Sequence, residues 1–134
     1  MKKDIIFPVV EGIKVAVGCN EEVAAGEEWN VYIINDLDIQ VENVIVVSRG
    51  YGEPGEDQQK TSVLRQLIGS LPANTAIKVE PIDPALFHLF NEYWVSYYIG
   101  SQIYDKKFIF VPDSIVKTNL RYVPQLSMKG VLHE

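Results

Sequence analysis

The chain has 134 residues, of which 47% are hydrophobic and 22% charged. That composition suits one folded domain burying about two thirds of its unfolded surface, and it excludes a disordered segment. Twelve Lys and Arg against eighteen Asp and Glu give a net charge of −6, which argues against nucleic acid as a bulk electrostatic partner, since phosphate binding needs clustered cations.

In chain order, Met1-Lys2-Lys3-Asp4-Ile5-Ile6-Phe7-Pro8 has the cationic end of a signal peptide. Pro8 and Glu11 break its apolar stretch, and no small-residue cleavage pattern follows. No apolar run nears the ~20 residues of a membrane span. The only cysteine, Cys19, cannot form an internal disulfide. A soluble cytoplasmic protein is expected. Ile13, Val15 and Val17 alternate with Lys14 and Ala16, predicting a half-buried strand, with Cys19 a passive residue at its end. Trp29–Asn35 is a second strand, closed by the turn-rich Asn35-Asp36-Leu37-Asp38. Glu42–Tyr51 is a third. Gly52–Gln59 is a polar loop, and Thr61–Ile68 a weaker fourth strand. Gly69–Asn74 is a turn, and Thr75–Glu80 a fifth strand. Asp83 before Pro84 is a helix-start signal, so one or two helical turns are expected near 84–90. Glu92–Ile99 and Gln102–Val111 form a hairpin through Gly100-Ser101. The tail, 112–134, reads as a short helix near Ser114–Leu120 and an extended arm through Val123-Pro124. The expectation is a single all-β domain over 1–134, an antiparallel sandwich of about seven strands with its core over about 13–111.

Two segments carry a resemblance. The pattern WNVYIIN…ENVIVVS, a strand closed by Asn and followed by an apolar strand, resembles immunoglobulin-like and fibronectin-like β-sandwiches. So does IGSLPANTAIKVE, a strand ending in Leu-Pro-Ala before an alternating one. The Cys…Trp…Cys arrangement of antibody domains is absent. The whole chain is also similar to short bacterial proteins, some of which carry the label of a phenylalanyl-tRNA synthetase subunit. It has no Gly-rich ATP site, recognisable class motif or basic face that would support that activity.

The strands are of two kinds. Those at 13–17 and 75–80 alternate apolar and polar residues, with Lys14, Lys78 and Glu80 facing water. Those at 42–51, 92–99 and 102–111 are apolar on both faces. Tyr93, Val95, Tyr97 and Ile99 share one face, and Trp94 and Tyr98 the other. Nine of the fourteen aromatics lie between Phe87 and Phe110. In an immunoglobulin-like order these three strands are neighbours, so one sheet should be apolar outside as well as inside. Covering a few aromatics, at ~150–250 Å² each and ~25 cal/mol/Å², is worth several kcal/mol, so a cover is expected. The tail could supply it through Ile115, Leu120, Val123 and Leu126. A second copy could, or another protein or ligand.

Charge is uneven: residues 1–67 hold 6 cations and 12 anions, residues 68–134 hold 6 and 6. Glu21-Glu22 with Glu27-Glu28, and Glu53 with Glu56-Asp57, read as solvated loop tips. His88 and His133 lack the company of a zinc site, and His88 should be partly buried beside Phe87. Asp36, Asp38 and Glu42 are too few for calcium and fit turn chemistry. Gly50–Gly55 before Lys60-Thr61 lacks the Gly-Lys-Ser/Thr order of a phosphate loop. There is no Gly-x-Ser-x-Gly elbow, and nothing local joins Cys19 to His88. No cofactor, metal or catalytic set is expected. The function expected is a non-catalytic interaction or structural module, able to self-associate, with Tyr93, Trp94, Tyr97, Tyr98, Tyr104, Phe108 and Phe110 as interface or ligand residues. The alternative is a small-ligand or carbohydrate-binding domain using the same Tyr/Trp cluster.

Overall fold

The computed structural model describes residues 8–23, 26–52 and 60–134. The expected acidic cluster at Glu53, Glu56 and Asp57 lies outside these residues. The strands are β1 (Ile13–Val23), β2 (Gly26–Asn35), β3 (Val41–Tyr51), β4 (Leu64–Leu71), β5 (Thr75–Pro81), β6 (Phe90–Ile99), β7 (Gln102–Phe110), β8 (Arg121–Val123) and β9 (Met128–His133). They form two antiparallel sheets, ordered β5-β2-β1-β9-β8 and β4-β3-β6-β7. Between them lies one core drawn from both, including Val15, Val17, Val31 and Ile33 from the first and Val44, Val46, Val95 and Phe108 from the second.

The expected strands are all present, and β3, β6 and β7 are neighbours, but the described strands number nine, not seven. The two extra come from the tail. Its expected helix is a single 3-10 turn, Lys117–Asn119, and the arm beyond it folds into β8 and β9. β9 pairs with β1 through Gly18↔Gly130. A Cβ on Gly130 would stand 2.9 Å from the Val17 carbonyl oxygen, so only glycine permits that approach. The core therefore runs past residue 111, taking in Ile115 and packing Leu120 against it.

Two boundaries differ from those expected. The turn expected at Gly69 is instead a bulge: Gly69 has φ 84° and the β3–β4 register shifts there, so β4 continues to the buried Leu71. The chain reverses later, at Asn74 with φ 53°. At Pro84 the cap is as expected, with Asp83 Oδ1 accepting the Ala85 N–H at 2.9 Å, but the helix stops after one 3-10 turn, Pro84–Leu86. Leu89 is then buried and Phe90 enters β6, stacked on Tyr51, so burial ends the helix. Asn35 ties two loops together. Its amide nitrogen donates to the carbonyls of Ile39, Leu71 and Pro72, and its oxygen accepts the Leu37 N–H at 2.9 Å.

Candidate functional site

The outer faces of the two sheets differ. On the five-stranded sheet, Ala16 and Ile34 point away from the core yet are fully buried. Val123, with Leu126 from the turn between β8 and β9, lies over them beside Ala76. The cover is pinned by polar contacts at its edge. Lys14 Nζ meets Asp36 Oδ2 at 2.8 Å, and Gln125 Nε2 donates to the same oxygen at 2.8 Å. Burial acts to raise the Asp36 carboxyl, but these two hydrogen bonds outweigh it and hold it below its ordinary value. The bond to Asp36 also raises Lys14. The tail thus folds over the five-stranded sheet, and not over the β4-β3-β6-β7 face for which it was one of three possible covers.

The outer face of β4-β3-β6-β7 carries no such cover among the described residues. Its rows follow from the register. Arg49, Glu92 and Ile109 form one, Arg65, Val47, Trp94 and Lys107 the next, and Leu67, Ile45, Ser96 and Asp105 a third. Trp94 is 43% exposed, Ile103 46% and Leu67 75%. The Lys107 ammonium sits over the Trp94 ring, 4.8 Å from its centroid. Ser96 is the smallest side chain in the middle of this face, and over it lies a depression of about 290 Å³ bounded by Trp94, Ile45, Val47, Arg65, Ile103 and Asp105. At one end the apolar character gives way to polar contacts. Arg49 grips the buried Glu92 through both carboxylate oxygens at 3.1 and 3.3 Å, and this raises the guanidinium further.

Of the seven expected interface residues, this face holds Trp94 and, half-buried, Tyr98. Tyr93, Tyr97, Phe108 and Phe110 are 0–3% exposed and form the core instead. Tyr104 is half-buried, its ring stacked on Tyr97 at 5.2 Å. Burial and the neighbouring Tyr104 push Tyr97 up to about 12. The period of two separates Tyr93 and Tyr97 from Trp94 and Tyr98, so a cluster in sequence becomes two clusters in space. Leu67, Ile103, Ser96, Asp105 and Lys107 were not foreseen as site residues. The hairpin through Gly100-Ser101 was the signal, because it sets Trp94 opposite Lys107 and Ser96 opposite Asp105.

A second concavity opens between the sheets beside the ends of β4 and β5, a cleft of about 550 Å³ walled by Trp29, Leu64, Ile82 and Leu86. Glu80 points into it. A bulge in the β2–β5 pairing turns this side chain inward, where water was expected. Its carboxylate accepts from Ser48 Oγ at 3.2 and 3.3 Å. Burial raises the Glu80 carboxyl, and hydrogen bonds from Ser48 and Gln66 offset this only in part. Tyr93, which also lines the cleft, is raised by burial and by Glu80.

Cys19 lies within β1 and is buried, rather than at a strand end; burial, then Glu27 and Glu21, raise its thiol. His88 is exposed, not partly buried, because Leu89 takes the inward position. His133 stands edge-on to Phe108 and Phe110 at 5.4 and 5.6 Å. Among the described residues no three His, Cys, Asp or Glu side chains gather as metal ligands would, and no helix is long and apolar enough to cross a membrane. No protein-family model, curated protein or solved structure matches the chain significantly.

Proposed function

We propose that this protein is a non-catalytic interaction module of immunoglobulin-like build, working through the outer face of its β4-β3-β6-β7 sheet. The strand order supports the build: the third, sixth and seventh strands are neighbours, the fourth flanks the third, and the first, second and fifth lie opposite. One observation carries the function. The tail buries Ala16 and Ile34 on the outer face of one sheet, with Leu132 beside them 37% exposed, and leaves Trp94, Leu67 and Ile103 of the other exposed. Contiguous apolar surface with a central Trp is the composition of a binding hot spot.

The test is affinity capture from source-cell lysate with wild-type, Trp94→Glu and Leu67→Glu baits. Tyr122→Glu, at a 63% exposed position on β8 of the other sheet, is the control. The expected result is proteins, own copies included, retained by wild type and control and lost with the two face variants. A captured set unchanged by Trp94→Glu would overturn the reading.

A second reading, a small-molecule site, draws on the cleft around Glu80, whose volume of about 550 Å³ is that of a ligand pocket. The aromatics there are Trp29 and Tyr93, not the Trp94 and Tyr98 pair. Quenching of Trp29 fluorescence by a metabolite or sugar panel, in a Trp94→Phe background, is its test.

A further inference from the structure

We infer that the occupant of this face is a second copy of the chain, packed face to face about a two-fold axis that crosses the strands between the Trp94 row and the Ser96 row. The inference rests on the interaction reading and adds its partner and register. An isologous contact requires a surface complementary to itself. Residues 94 and 96 of β6, and 105 and 107 of β7, lie in adjacent rows on the same face. An axis perpendicular to the strands and between these rows exchanges them. Lys107 then faces the second copy's Asp105, and Asp105 faces the second copy's Lys107. Trp94 faces the second copy's Ser96, where the hollow of about 290 Å³ lies. Val47 meets Ile45, and Arg65 meets Leu67, whose apolar surface can take the arginine stem.

The same face rules against the other in-plane axis. One running along the strands would set Arg65 of β4 against Lys107 of β7, since both belong to the Trp94 row, and bring two cations together. Lys107 and Asp105 are both exposed, and neither takes part in an ion pair among the described residues; the Lys107 ammonium rests on the Trp94 ring, beside the proposed axis. Size is sufficient. Four strands at ~4.8 Å spacing and ~9 residues long present roughly 600 Å² per copy, the low end of specific interfaces. An interface at this small end is expected to be weak, with its register set by the charges.

Analytical ultracentrifugation over about 10–500 µM, a range chosen to bracket micromolar affinity, tests this. Wild type should dimerise. Lys107→Asp and Asp105→Lys should each weaken dimerisation by at least about tenfold, because each places like charges across the axis. The double variant Lys107→Asp/Asp105→Lys should recover it. An equimolar mixture of the two single variants should form a heterodimer, since the Lys107→Asp chain presents carboxylates at both positions and the Asp105→Lys chain presents ammonium groups at both. A monomeric wild type, single variants that dimerise as well as wild type, or a mixture without rescue each overturn the inference. A monomer that still captures lysate proteins in a Trp94-dependent manner fails the two-copy inference and leaves the interaction reading standing. A monomer without such capture fails both.

Discussion

The two outer faces of this sandwich began from the same problem and met it differently. Both sheets carry apolar residues on the side away from the core. On the five-stranded sheet Val123 and Leu126 bury two of these, Ala16 and Ile34, while Leu132 beside Ala16 stays 37% exposed. On the four-stranded sheet they are larger and spread over four strands, and the tail does not reach them. Sheet faces with a polar exterior need no cover, so an apolar face that no described residue covers is available for contact.

The comparison can be broken most sharply with a charge on each face. Val123→Asp buries an unpaired carboxylate under the tail and should cost about 3 kcal/mol in urea unfolding, whereas Leu67→Asp should stay within about 0.5 kcal/mol. Equal costs would mean that the two faces are covered alike. A smaller effect comes from glycine. Gly130→Ala forces a Cβ against the Val17 carbonyl and should cost about 2 kcal/mol, with faster amide exchange confined to β8, β9 and their border with β1. Gly69→Ala, which meets nothing within 4 Å but holds φ 84°, should cost nearer ~1 kcal/mol through backbone strain alone. The smallest effect concerns pH. Asp36 is held below its ordinary value of 3.8, so its contribution is present above that value and is lost as pH falls through the lower folded value. Asp36→Asn should therefore lower the melting temperature modestly at about pH 6, with the difference from wild type closing below pH 3.8. A difference constant with pH would show that the Lys14–Asp36–Gln125 contact does not hold the cover electrostatically.

Much of the fold was legible because period-two alternation and turn residues are local signals. The Asn35 bond to the Leu37 N–H that closes β2, Asp83 capping the turn at Pro84 and Gly100-Ser101 closing the β6–β7 hairpin each act within a few residues of their own position. Gly69 and Glu80 were misread for one reason: a bulge depends on the partner strand. Gly69 looks the same in a turn and in a bulge, and only its neighbour across the sheet decides. The bulge between β2 and β5 likewise took Glu80 from the solvent face to the cleft. The candidate site was legible in half. Trp94 followed from alternation within β6, while Leu67, Ser96, Asp105 and Lys107 required the register of the strands around it.

The sequence by itself determined that the chain is all-β, that β3, β6 and β7 carry large apolar residues on both sides, and which aromatics share a side, because side-chain direction along a strand is a backbone property. Only the tertiary structure decided where the tail goes. Residues 121–133 could have paired or packed on either sheet. The close approach of Gly130 to β1 and the small Ala16 surface favour the five-stranded one. That choice is a matter of long-range fit between segments at opposite ends of the chain, which no local pattern encodes, and it is what leaves Trp94 exposed.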